Sequence, residues 1–326
     1  MKIRIVGVAS ANGLGHVLRI LRLLKGFSQL DMKTALVCSR RQIELIKRGT
    51  FSKELPALFE QEPIGLDGPS VLSISNQPSK EVMKLLNSAT LVISDNLLWP
   101  IEFSKRFALC ANFLWQNYWH KLNKDDLIER IRVDIGLLNQ AQFICDYEYF
   151  SQISNISGLR IKVPYDLENP DGFKLVNETW ISSGTIKKNN DIYELLKNFK
   201  NIGMIRRSET NEISRLRIKP KLVIGRPGIG TISDCIAHEV PFIPFLNSRD
   251  MELEFNQEIL AKNKLIDRNL LPRPGYLYSD ANMVEQAFYV LHQKNRIINT
   301  KKKMLSNPMS VAQSIYNYCM NDERKR

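Results

Sequence analysis

Residues 2–19 read KIRIVGVASANGLGHVLR, and the fold turns on how this stretch divides. Two cations, a short apolar run and Ala9-x-Ala11 resemble the start of an export signal. The apolar run covers only Ile5 to Val8, shorter than such a signal needs. A first β-strand over 2–9 is the better reading. Ser10 to Gly15 then form a Gly-rich turn. Leucines and isoleucines at helical spacing predict a helix over 17–27.

The same alternation continues outward. Apolar runs predict strands over 34–38, 89–94 (ATLVIS, ending at Asp95), 108–114 and 143–146. Helical spacing falls between them, over 40–47, 81–86, 102–107 and 131–141. Residues 163–177, VPYDLENPDGFKLVN, are rich in Pro, Gly, Asp and Asn and predict an interdomain linker. Beyond it, strands are expected over 179–182, 201–205, 221–224 and 242–244. Helices are expected over 191–197, 212–216, 231–237, 252–261, 282–292 and 310–320. Strand–helix alternation implies parallel sheets with helices on both faces. The expected fold class is α/β, with two doubly wound Rossmann-like domains facing a cleft. These are residues 1–165 and 175–326, with the final helix free to pack back on the first domain. In such folds ligands sit at the carboxyl ends of the strands.

Length and composition agree. A chain of 326 residues is about twice a typical domain. Hydrophobic residues at 44% and charged residues at 25% exclude long disorder and low-complexity classes. No run approaches the ~18 apolar residues of a membrane span. Five scattered cysteines without a CxxC pair argue for a reducing compartment rather than a disulfide framework. The four histidines lack ligand spacing, so no metal site is expected. These features predict a cytoplasmic protein. The net charge of +12 favours a polyanionic partner: an anionic membrane surface, a phosphorylated substrate or nucleic acid. No nucleic-acid module is recognisable, so nucleic acid is not expected. The run from Trp115 to Lys121 pairs aromatics with a cation, which suits a membrane surface; solvated charges and a buried Trp115 are the plainer alternative.

Two turns carry the chemistry. In the first, Asn12, Gly13 and Gly15 bring backbone close to a ligand, and free N–H groups open the helix towards an anion. His16 lies in the first turn of that helix. The positive helix end disfavours an imidazolium, which suits a general base; the alternative is a capping or packing role. The pattern departs from GxGxxG because Leu18 holds the third position, so a dinucleotide is poorly supported. The second turn is RPGIGTISD, residues 226–234. Gly228, Gly230 and Thr231 can surround a diphosphate with donors. Asp234 can accept from ribose hydroxyls, or simply complement the helix. A strand over 242–244 then leads to Asp250, Glu252 and Asn256. Asp250 and Glu252 suit sugar hydroxyls, and equally an N-cap with an acidic first turn.

The order GxGHxxR, RPGxGTxSD, a Pro-rich strand and D-x-E-x-x-x-N resembles the two-domain nucleotide-sugar glycosyltransferases of GT-B fold. MurG-type N-acetylglucosaminyltransferases and the predicted glycosyltransferases whose helix begins GxGHxxR are the most similar. Ser94-Asp95 with Asn112-Phe113-Leu114-Trp115 is similar to a pattern of the latter group, shared by the transferase-like half of plant arabinokinases. The resemblance implies an inverting, metal-independent transfer from a nucleotide-sugar donor, a UDP-sugar by preference, to a glycan or lipid-linked acceptor. It implies His16 as base, oriented by Asp95, with Asn12, Gly13, Gly15, Arg19, Asn112 and Trp115 on the acceptor side. Ser183, Gly184, Arg226, Gly228, Gly230, Thr231, Asp234, Asp250, Glu252 and Asn256 would hold the donor. No cofactor or metal is implied. Glu252 replaces the Gln of the MurG type, and Gln116 the usual Asp of the aromatic pattern, which leaves the sugar open. A lipid-linked acceptor would place the protein on the inner face of the cell membrane. A hydrolase releasing UDP on the same fold, as in pseudaminic acid synthesis, and a non-catalytic binding protein are the alternatives.

Overall fold

The computed structural model describes residues 3–11, 13–48, 58–59, 62–66, 78–114, 136–145, 148–152, 157–182, 193, 202–246, 250–274 and 276–321. The chain divides into two compact units. One comprises Met1–Asp166 and Ser306–Arg326, the other Leu167–Leu305.

The first unit opens with β1 (Arg4–Ala9), α1 (Leu14–Gln29), β2 (Lys33–Ser39), α2 (Arg40–Arg48) and β3 (Ile64–Leu66). It continues with α3 (Lys80–Ser88), β4 (Leu91–Asp95), a 3₁₀ turn over Trp99–Phe103, β5 (Phe107–Cys110), β6 (Gln142–Cys145) and β7 (Leu159–Arg160). The strands pair in parallel, in the order β3-β2-β1-β4-β5-β6-β7. β1, β2, β4 and β5 are buried almost end to end, as strands covered on both faces must be. The pleat sorts their side chains. Ile5 and Ala9 join Val17, Leu21 and Leu24 of α1 on one face. Val6 and Val8 join Val82 and Leu86 of α3 on the other. Cys38 lies in the first of these layers, and burial pushes its thiol up to about 12. All five cysteines are buried thiols.

A short strand, β8 (Val163–Pro164), precedes the second unit, which holds β9 (Lys174–Ser182), β10 (Met204–Arg207), α4 (Glu212–Leu216), β11 (Ile218–Gly225), α5 (Ile229–Ala237), β12 (Phe242–Pro244), α6 (Met251–Lys262), α7 (Asp280–Leu291) and α8 (Lys294–Met304). Its described sheet is parallel, in the order β10-β9-β11-β12. The last helix, α9 (Pro308–Met320), belongs to the first unit.

Three sequence expectations need correction. The stretch read as a linker does contain the boundary between the units, after Asp166, but it is not bare loop: β8 opens it, a 3₁₀ turn covers Pro170–Gly172 and β9 begins at Lys174. The helix expected over 102–107 is a 3₁₀ turn over Trp99–Phe103, because Phe107 already starts β5 and leaves too few residues for a helix. Helix α8 was not anticipated. Its sequence KNRIINTKKKM buries only Ile297 and Met304, so the apolar stripe is too thin to read. The helix is tied down instead by Lys301, whose Nζ donates to Glu239 Oε1 at 2.9 Å. Burial opposes the Glu239 charge, but that bond and the charges of Lys301, Lys219 and Lys294 hold its carboxyl below the usual range. Of the helix expected over 191–197, all but Tyr193 lies outside the described residues.

Helix α9 lies on α1, with Val311, Ala312 and Ile315 in one core with Leu23 and Phe27. Gly26 permits this approach. A Cβ there would collide with the Pro308 carbonyl and sit 2.9 Å from the Ala312 Cβ. Gly26→Val should therefore cost about 1–3 kcal/mol through overpacking. Urea unfolding followed by tryptophan fluorescence checks this, and an unchanged midpoint would mean that α9 does not dock here.

Candidate functional site

In each sheet the strand order reverses once. In the first unit the reversal lies between β1 and β4, whose ends are in register at Ala9 and Asp95. In the second it lies between β9 and β11, in register at Ser182 and Gly225. Open parallel sheets bind ligands at the carboxyl ends of such strand pairs. Both Gly-rich turns singled out in the sequence leave from these points.

At the first point, β4 delivers Asp95 fully buried, and α1 delivers His16 from its first turn. His16 Nδ1 lies 2.8 Å from Asp95 Oδ1. The other carboxylate oxygen, Oδ2, lies 3.3 Å from Arg19 Nε, one helical turn beyond His16. The buried carboxylate is thus compensated by a guanidinium that is itself only 5% exposed. An Nδ1–H donated to Asp95 leaves Nε2 with its lone pair, the tautomer a proton acceptor needs. Gly13 is the N-cap, at φ 96, a region that glycine enters without penalty. Among the described residues no side chain caps α1, and no acidic residue lies in its first turn, which suits its N–H groups to a ligand. A Cβ on Gly15 would meet nothing within 4 Å. Asn112 follows β5 at 4% exposure, its Oδ1 without a partner among the described residues. Asn12 and Trp115 lie outside the described residues.

At the second point, α5 starts at Ile229 with Gly228 as N-cap, and again neither a capping side chain nor an acidic first-turn residue is present among the described residues. Gly230 and Thr231 lie in its first turn. A Cβ on Gly228 or Gly230 would meet nothing within 4 Å. Arg226 Nη2 is 3.4 Å from Asp250 Oδ2. Ser183 and Gly184 lie outside the described residues.

Three of the expected donor residues are engaged within the protein. Asp234 is 3% exposed and accepts from Thr210 Oγ1 at 2.9 Å. Asp250 caps α6, accepting from the N–H groups of Glu252 and Leu253, and Glu252 lies in that helix's first turn. Asn256 Nδ2 donates to the Pro227 carbonyl at 2.9 Å, which fixes the turn before Gly228. Thr210 was missed because it reaches Asp234 across 24 positions of sequence. Among the described residues no group of three His, Cys, Asp or Glu could hold a metal, and no helix is long and apolar enough to cross a membrane.

No family model matches the sequence, and neither does any curated protein. Solved structures do match in fold. Spinosyn forosaminyltransferase SpnP aligns with a TM-score of 0.65 at 10% identity, covering 98% of this chain and 100% of its own. LpCGTa in complex with UDP aligns at 0.63 and 11% identity, over 98% and 99%. The glycosyltransferase SsfS6 of Streptomyces sp. SF2575, complexed with thymidine diphosphate, aligns at 0.57 and 13% identity, over 97% and 99%. With two switch-point sheets and these end-to-end alignments, the chain has the GT-B fold of the glycosyltransferases.

Proposed function

We propose that this protein transfers a sugar from a nucleoside diphosphate sugar to a hydroxyl of a glycan or lipid-linked acceptor, with inversion at the anomeric carbon and without a metal. The observation that carries this reading is the His16–Asp95 pair at 2.8 Å, backed by Arg19, at the strand reversal of the first unit. In the reaction His16 Nε2 takes the acceptor hydroxyl's proton as that oxygen bonds to the anomeric carbon. The anomeric C–O bond breaks, and its electron pair leaves on the diphosphate. Asp95 holds the ring in the required tautomer and compensates the imidazolium. The leaving group gains charge in the transition state, so fixed donors aimed at it contribute most. The open N–H groups at the start of α5, with Arg226 nearby, suit that task.

The UDP and thymidine diphosphate named with two of the neighbours support a pyrimidine nucleotide, and a UDP-sugar is our first choice. The excess of cations supports an acceptor at an anionic membrane surface. The test is release of nucleoside diphosphate from a panel of UDP-, dTDP- and GDP-sugars, with and without glycan and lipid-linked acceptors. Release that stays slow until an acceptor is added is the expected outcome. Fast stoichiometric release in buffer alone would instead identify a hydrolase, with water in place of the acceptor hydroxyl.

A further inference from the structure

We infer that Gln42, a residue no motif selects, positions the His16 site by holding the turn between β1 and α1; this rests on the transferase reading above. Gln42 lies in α2 and is 2% exposed. Its Nε2 donates to the carbonyls of Ser10 and Gly13, each at 2.7 Å. Its Oε1 accepts from the Ser39 N–H at 3.0 Å and the Ser39 hydroxyl at 3.1 Å. Both donors and both lone pairs of the carboxamide are thereby used. The arrangement also settles the amide's orientation, because the flipped group would turn its oxygen onto two carbonyls.

The two carbonyls bracket the turn that relates base to carboxylate. Ser10 follows Ala9, which is in register with Asp95. Gly13 caps the helix that carries His16. Gln42 therefore holds both ends of the chain segment that runs from the β1–β4 register to the imidazole. Asn256 repeats the device in the second unit. It too lies in the helix that follows the next strand, and its carboxamide donates to a carbonyl of the Gly-rich turn. Drawing carbonyls back towards a buried amide keeps acceptor oxygens away from the ligand side of both turns.

Gln42→Glu separates this role from plain stability. It preserves side-chain length and the Ser39 bonds that make a capping box at the start of α2. It removes both donors to the turn. Gln42→Met, which carries no charge, guards against misfolding from a buried carboxylate. The measurements are kcat and donor KM for sugar transfer, melting temperature, and amide hydrogen exchange over 17–20, the first hydrogen-bonded amides of α1. Both variants should lose about 10–100-fold in kcat, because misplacing a catalytic group by about 1 Å can cost about 100-fold. Donor KM should stay within about twofold of wild type and exchange over 17–20 should rise at least about tenfold. Unchanged exchange, or a kcat loss matched by the donor KM and by melting, would overturn the inference. The exchange arm needs no turnover. A wild type that transfers no sugar therefore sinks the transferase reading, while exchange still decides whether Gln42 holds the turn.

Discussion

His16→Ala should lower kcat by about 10²–10⁴-fold while the protein melts close to the wild-type temperature. The size of the effect follows from what the ring does. Among the described residues, only His16 is both bound through Nδ1 to a buried carboxylate and placed at the strand reversal of the first unit. Removing the ring leaves Asp95 still compensated by Arg19, so the fold loses little. Asp95→Asn tests the same unit from the other side. The amide keeps the shape, but its NH2 group favours the wrong imidazole tautomer. The double variant should then fall no further than the worse single one, because residues that act together are not additive. Asp95→Ala is a poorer choice, since it strands the buried Arg19 guanidinium without its carboxylate. Initial rates of nucleoside diphosphate release, with circular dichroism melting, check all of these. Full activity in His16→Ala would move the base to another residue.

The second large effect is expected at Gly230. A Cβ there meets nothing within 4 Å, so the protein itself has room for a side chain. A glycine in a helix costs about 0.5–1 kcal/mol relative to alanine. Gly230→Leu should therefore leave stability unchanged or raise it slightly. The same side chain would occupy the space over the first turn of α5, where the proposed diphosphate meets the N–H groups. Affinity for UDP should fall by about 100-fold or more, equivalent to at least about 2.7 kcal/mol. Isothermal titration with UDP reads the change directly. Wild-type affinity in Gly230→Leu would place the diphosphate elsewhere.

The parts of this site that were legible in the sequence share a property: their signals are local. β1, the turn and α1 lie within one short stretch, and the change from continuous apolar residues to helical spacing locates His16. Asp95 could be read as the end of an apolar run, and its pairing with His16 came through resemblance. What could not be read depends on contacts distant in sequence. Gln42 reaches Ser10 and Gly13 across 32 and 29 positions. Asp234 and Asn256 matched donor motifs, yet one accepts from Thr210 and the other anchors Pro227. A motif gives the residue type, and packing decides which way its polar atoms turn. Helix α8 was hidden for a different reason, because a helix held by an ion pair and two apolar residues has no clear periodicity.

The central claim is that the Gly-rich mouth of α5 holds the pyrophosphate of a sugar nucleotide. A crystal structure with UDP tests it most directly. The account predicts diphosphate oxygens within about 3 Å of the N–H groups of Ile229, Gly230 and Thr231, normal hydrogen-bond range. Saturating UDP bound at any other part of the chain, with that mouth left without it, would contradict the account.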